Sequence, residues 1–472
     1  MKRFLFFALL ILSLNCAFAE VRKPVVAGSF YPANKDELAY QVNKFLLNVP
    51  SQEIKGEIVA LVVPHAGYPF SGQVAAYAYK QLEGKSYETI ILIGASHRLA
   101  FDEIAVPAYD TFETPLGRVP VDRDFIRKLT KLSDRIKVNN EPFKQEDNSL
   151  EVQLPFLQTV QKDFKIVPIF FGNVSLANCQ ALAYALNLLI GENTLIIASS
   201  DWSHYYPYDL ARKLDNKGIE AVVNNDLEGY VKCLAEGETE ACGAPAIITT
   251  MMLAPALGAN KVELLKYANS GDVTDDRSRV VGYAAIVFYH QELFLSAADK
   301  KELLRIARRT IESRLAGKKI PQFKPAEGAL TENRGAFVTL SEEGKLRGCI
   351  GYIQPVKPLY LAVQEMAVEA ATGDPRFDPV KRSEFKNIKI EISALSRLKK
   401  LKDVAEIEIG RDGLFIVKGN NSGLLLPQVA VEWGWGREEF LKQVCVKAGL
   451  PEDAWQAKDA VLYHFTADVF HE

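Results

Sequence analysis

Three of the chain's six histidines stand just past the ends of apolar runs: His65 after LVVP, His97 after ILIGAS and His204 after IIASSDWS. Imidazole titrates nearest neutrality and is the commonest metal ligand, so these placements point to acid–base or metal chemistry. Singly, each is more simply a satisfied structural histidine; together they favour one shared site. Gly67 and Gly72 accompany His65, and Gly94 precedes His97, where glycine lets a backbone turn tightly and a ligand approach. Asp201 lies three residues before His204, the spacing of neighbours on one helical turn. It could ligate a metal, orient His204 as an acid or base, or cap the helix that follows, the common use of Asp at such a junction. Cys242, in the turn Ala241-Cys242-Gly243-Ala244-Pro245, is the thiol best placed for chemistry. At a helix N-terminus a thiolate is stabilised and binds soft or borderline metals. A disulfide with Cys233, or a small buried hydrophobe, is the alternative, and the residue chemistry alone does not choose between them.

Loops of this kind need a scaffold that brings strand ends together. Apolar runs at 57–64 (EIVALVVP), 88–94 (ETIILIG), 166–171 (IVPIFF), 195–199 (LIIAS) and 283–288 (YAAIVF) alternate with helical stretches such as 73–82 and 210–234. Runs that are apolar on both faces read as buried strands, and the alternation predicts an α/β fold. In open α/β sheets ligands gather outside the carboxyl ends of strands, so the three histidine loops are expected to share a crevice. Near His290 the texture changes. Residues 299–315 form a charged amphipathic helix; strand-like 336–340, 388–395 and 413–417 and a helix over 359–371 follow. Residues 20–292 are assigned to the first domain and 300–472 to a second, smaller α+β domain.

The 472 residues are 48% hydrophobic and 24% charged, with a net charge of −3. That is a globular rather than a disordered composition, with length for two or three domains. There is no basic surplus to draw the chain onto nucleic acid or anionic lipid. Lys2 and Arg3, the apolar run 4–12 and Ala17-Phe18-Ala19 predict a signal peptide over residues 1–19, cleaved after Ala19. The expected location is secreted or periplasmic, with an uncleaved membrane anchor as the alternative; after cleavage no membrane span is expected, since spanning takes about 20 apolar residues. Cys179, Cys233, Cys242, Cys349 and Cys445 would remain, an odd number, so at least one thiol is unpaired or held by a metal.

Residues 20 to about 290 resemble the Memo family (mediator of cell motility). The resemblance rests on Ala27-Gly28-Ser29-Phe30-Tyr31-Pro32, HAGY-x-x-SG from His65, GASH ending at His97, NSLEVQLPFLQ from Asn148, SSDWSHY from Ser199, ACG around Cys242 and VVGYAA from Val280. It implies an α/β sandwich similar to class III extradiol dioxygenases, non-haem iron enzymes that open catechol rings. It also implies metal ligands His65, His97 and Cys242, with Asp201 and His204 beside them as catalytic candidates. Arg98 and Asn148 stand where the family often carries histidine; losing imidazole there weighs against a proton shuttle for ring opening. Two imidazoles and a thiolate are softer than the two-histidine, one-carboxylate triad of oxygen-activating iron enzymes. A transition metal is expected, iron or copper ahead of zinc.

Residues from about 300 to 472 resemble the AMMECR domain, through Leu346-Arg347-Gly348-Cys349-Ile350-Gly351, Asp374-Pro375-Arg376-Phe377, the LLLPQVA run from Leu424 and the CVKAGL run from Cys445. Together the two resemblances imply components B and A of the AmmeMemoRadiSam system, and so a link to a radical SAM protein. Arg347 and Cys349 could serve as an anion-binding group and a nucleophile; a tight turn around a small buried cysteine is the simpler expectation, with Asp374 and Arg376 paired across another. Three functions follow. One is a metal-dependent oxidoreductase acting on an unidentified small molecule. Another is a copper- or iron-binding redox or carrier protein without turnover. The third is a peptide-binding module whose cleft is lined by Tyr68, Phe70, Trp202, Tyr205 and Tyr206.

Overall fold

The computed structural model describes residues 20–472 other than positions 52, 192, 327 and 402; the expected signal segment lies outside the described residues. The chain divides into two units, Met1–Gln291 and Glu292–Glu472.

In the first unit the apolar runs become strands Glu57–Val63, Thr89–Ala95, Lys165–Phe171 and Thr194–Ser199. They lie parallel, with Thr194–Ser199 between Glu57–Val63 and Thr89–Ala95, and Lys165–Phe171 on the far side of Thr89–Ala95. Val280–His290 runs antiparallel beside Glu57–Val63, and further strands extend the sheet to nine among the described residues. Buried parallel strands need apolar side chains on both faces, which these supply. Register then does the positioning: Val63 pairs with Ser199 and Ile93 with Ala198. Three adjacent strands therefore end level, and the chain leaves them at Pro64, Ser200 and Ser96.

The segment at 210–234 is two helices, Tyr208–Val223 and Leu227–Ala235, not one. Asn225 takes φ 52, and Asp226 caps the second helix by accepting from the Gly229 N–H. The polar Asn224-Asn225-Asp226 step supplies turn and cap chemistry that amphipathic periodicity alone overlooks. Helix Ala244–Ala256 is almost wholly buried, as its near-continuous apolar sequence requires.

Among its described residues the second unit holds two antiparallel four-stranded sheets. One runs Lys345–Tyr352, Ala336–Glu342, Ile388–Leu395, Ala467–His471; the other Lys399–Lys400, Val461–Phe465, Gly413–Lys418, Asn421–Leu425. Helices Ala297–Leu315 and Leu359–Thr372 pack with the first, and Ser296 and Asp299 form a capping box. Cys349 does not sit in a tight turn. It lies mid-strand in Lys345–Tyr352, an edge strand, opposite Thr339. The neighbouring glycines are packing requirements: a Cβ on Gly348 would meet the Ala370 carbonyl oxygen at 2.1 Å, and one on Gly351 the Phe337 ring at 2.3 Å.

Candidate metal centre

His65 and His97 follow the level strand ends, and Cys242 arrives from the loop before Ala244–Ala256. Donor atoms of the three lie within 4.8 Å of one another. The His65 Nε2 is 3.1 Å from the Cys242 Sγ, and the two imidazole centroids are 5.1 Å apart, edge to face. Nitrogen and sulfur ligands around one tetrahedral ion stand roughly 3.5 Å apart, so the set would take a transition metal with the His65–Cys242 pair opening slightly and the wider separations closing. Gly243 lets the thiol reach the strand end, since a Cβ there would stand 2.2 Å from the Ser199 carbonyl oxygen. The Cys242 N–H donates to the Asp201 carbonyl, the Asp201 N–H to the Cys242 Sγ at 3.2 Å, and the Gly243 N–H to the Ser200 Oγ.

The electrostatics suit a neutral nitrogen donor at His65 but favour a proton on His97. Burial holds His65 down to about 4, against the opposing pull of Asp201, so its ring is uncharged near neutrality. Burial also works against charging His97, but the hydrogen bond and charge of Asp147 outweigh it and raise its pKa. Asp147 is buried, which alone would raise it, yet its bonds from the His97 ring and from backbone N–H groups pull it down to about 2. Its Oδ2 accepts the His97 N–H at 2.6 Å and its Oδ1 lies 3.4 Å from the ring Nδ1. Burial, with the charge of Asp201, pushes the Cys242 thiol well above its ordinary range. An ion would have to displace that proton to bind thiolate.

Asp201 does not cap the following helix, which begins at Tyr208 after Pro207. Its Oδ1 accepts the His65 backbone N–H at 2.8 Å, and its Oδ2 stands 3.9 Å from the His65 Nε2, beside the donor set. His204 is oriented by Glu240 rather than by Asp201: Glu240 Oε1 accepts its backbone N–H at 2.6 Å and lies 3.4 Å from its Nδ1. His204 opens strand His204–Tyr206, and residues 201–203 before it are not helical, so the helical spacing to Asp201 does not arise. Asn148 donates from Nδ2 to the His65 carbonyl oxygen, and Arg98 from Nε to the Glu146 carbonyl oxygen. Among the expected cleft aromatics, Tyr68 and Trp202 are core residues, while Phe70 and Tyr205 are exposed.

All five described cysteines are free, including Cys233 and Cys242. In the second unit the Arg347 guanidinium is engaged by Glu384 and the Asp378 carbonyl oxygen, both at 2.7 Å. Asp374 and Arg376 pair, and both also bind the Cys349 backbone: Asp374 Oδ2 accepts its N–H and Arg376 donates to its carbonyl oxygen. The motif pair thus caps a sheet edge.

Sequence reasoning missed Asp147 and Glu240. Asp147 directly precedes the NSLE run and Glu240 lies two residues before Cys242, so proximity to the motifs was the available signal.

An open α/β sheet with its donors at the carboxyl ends of parallel strands defines a class of ligand- or metal-binding α/β proteins. The family follows from comparison. The family model for Memo-like proteins matches residues 22–287 and that for AMMECR1 residues 304–470, so the chain belongs to the Memo family and carries an AMMECR1 domain after it. A MEMO1 family protein of Nitrosopumilus maritimus is 38% identical over 274 residues, covering 57% of this chain and 99% of that protein. Another, of Methanosarcina barkeri, is 38% identical over 272 residues with the same coverage. The crystal structure of an uncharacterized protein from Pyrococcus horikoshii shares 45% identity, with 37% of this chain and 91% of that one covered and a TM-score of 0.35.

Proposed function

We propose that the first unit is a transition-metal-dependent oxidoreductase centred on His65, His97 and Cys242. The observation that carries this reading is the convergence of two imidazoles and a thiol within 4.8 Å. Three protein ligands leave a coordination position for substrate, as in catalytic rather than structural sites. The bound ion would supply Lewis acidity and one-electron chemistry to a small substrate. His65, His97 and Cys242 hold it; Asp201 anchors the His65 backbone and Asp147 that of His97. His204, partly exposed and held by Glu240, is placed to hold or move a proton at its ring nitrogen.

A second reading is a copper- or iron-binding redox or carrier protein without turnover. It is favoured by Asn148, whose amide is spent on the His65 carbonyl and offers no titrating group. Oxygen uptake by iron- and copper-loaded protein over a panel of catechols separates the two. The enzyme reading expects consumption that falls at least tenfold in His204→Ala with metal retained; no uptake from any metal-loaded form, with metal bound, would leave the carrier reading.

A further inference from the structure

Behind the metal ligands lies a chain of buried polar groups whose proton directions can be assigned one by one. It begins at Pro64, whose carbonyl oxygen can only accept. Gln153 lies 3.0 Å from it, so the group facing Pro64 must be the Nε2 amine of that side chain. This fixes the amide: the Gln153 Oε1 faces the Tyr79 hydroxyl at 2.7 Å and accepts from it. The second Nε2 hydrogen points to the Ser199 Oγ at 2.8 Å. Ser199 in turn lies 2.5 Å from the Ser149 carbonyl oxygen, again an acceptor only, so its single hydroxyl hydrogen goes there. A hydroxyl has one hydrogen to give and two lone pairs. With the hydrogen on Ser149 and one lone pair taken by Gln153, what remains toward the His65 Nδ1, 2.9 Å away, is a lone pair. Tyr79, Gln153, Ser199 and His65 are all at most 2% exposed, so no bulk solvent competes.

We propose that Ser199 and Gln153 are positioning residues that hold His65 as its Nδ1–H tautomer and so present the Nε2 lone pair to the ion site. The opposite tautomer would set the Nδ1 lone pair against a Ser199 lone pair and leave the Nε2 hydrogen facing the Cys242 Sγ, 3.1 Å away. A buried pairing of two acceptors forfeits a hydrogen bond that nothing else supplies. Partners of this kind, behind a metal-binding imidazole, typically alter affinity ten- to a hundredfold. The consequence for affinity rests on the metal reading above; the tautomer does not.

Nitrogen-15 NMR of the metal-free full chain, labelled at histidine and assigned by comparison with His65→Ala, reads the tautomer directly. The expected spectrum has a protonated, pyrrole-type Nδ1 and a bare, pyridine-type Nε2 at His65. In Ser199→Ala the preference is expected to be lost, and zinc affinity, measured against a chromophoric chelator, to fall ten- to a hundredfold. A proton on Nε2 in the unmodified protein would overturn the proposal, and this measurement stands even if Ser199→Ala does not fold. A Ser199→Ala protein that keeps both the tautomer and the affinity would also overturn it. An Nδ1–H tautomer in a chain that takes up no zinc, iron or copper would support the tautomer assignment and overturn the proposed function instead.

Discussion

At the scale of single residues, the centre is defined by which groups are charged before an ion arrives. His65 is kept neutral by burial, whereas Asp147 makes His97 easier to protonate and burial makes the Cys242 thiol harder to ionise. Both of the latter shifts put protons in competition with metal, so affinity is expected to rise with pH. Its slope should approach about tenfold per pH unit for each proton displaced. Chelator competition between pH 6 and 8 checks this, and an affinity that falls with rising pH would be the wrong sign. The candidate ligands were legible because histidines after apolar runs and a cysteine before an apolar helix are visible in one dimension. Their partners were not. Nothing local couples Glu240 to His204 across 36 positions, and Asp147 reads as one more acidic residue until its burial is seen.

At the scale of elements, the site depends on strand register and one close approach. Parallel strands with both faces buried could be read from their composition, and so could the idea that their ends would converge. The edge strand Lys345–Tyr352 could not, since its glycines, which serve packing against Ala370 and Phe337, look like turn residues. The close approach is at Gly243, where Cys242 crosses the end of Thr194–Ser199. Gly243→Ala is expected to cost about 1–3 kcal/mol, because the added carbon meets backbone that cannot rotate away. It should also weaken metal binding by moving the thiol. Denaturant unfolding and metal titration of the same variant measure the two effects; unchanged values in both would show that the turn is slack. The NSLE segment joins this architecture to the start of the described chain: the Glu151 carboxylate accepts from Arg22, from the Val25 and Val26 N–H groups and from the Tyr31 hydroxyl, all while buried.

At the scale of the molecule, each unit has its own core and its own pH response. In the second unit Asp374 is held well below the ordinary carboxylate range, chiefly by the Arg376 guanidinium and also by the Cys349 N–H. A carboxylate with a depressed folded-state pKa stabilises above its unfolded value, near 3.9, and that contribution is lost as pH falls toward the folded value. The second unit is therefore expected to lose stability as pH drops below about 4, and Asp374→Asn to be less stable at neutral pH but less sensitive to acid. Three of the four tryptophans, Trp433, Trp435 and Trp455, lie in this unit, so fluorescence-monitored unfolding reports on it; equal acid sensitivity in both proteins would contradict the assignment.

The claim on which most depends is that three separated stretches of chain hold one ion. Metal analysis of the full-length protein purified without added metal, set beside His65→Ala, His97→Ala and Cys242→Ala, tests it most directly. The expected result is a transition metal in the unmodified protein and a sharp loss in each variant, with circular dichroism unchanged. The same metal content in all four folded proteins would contradict it.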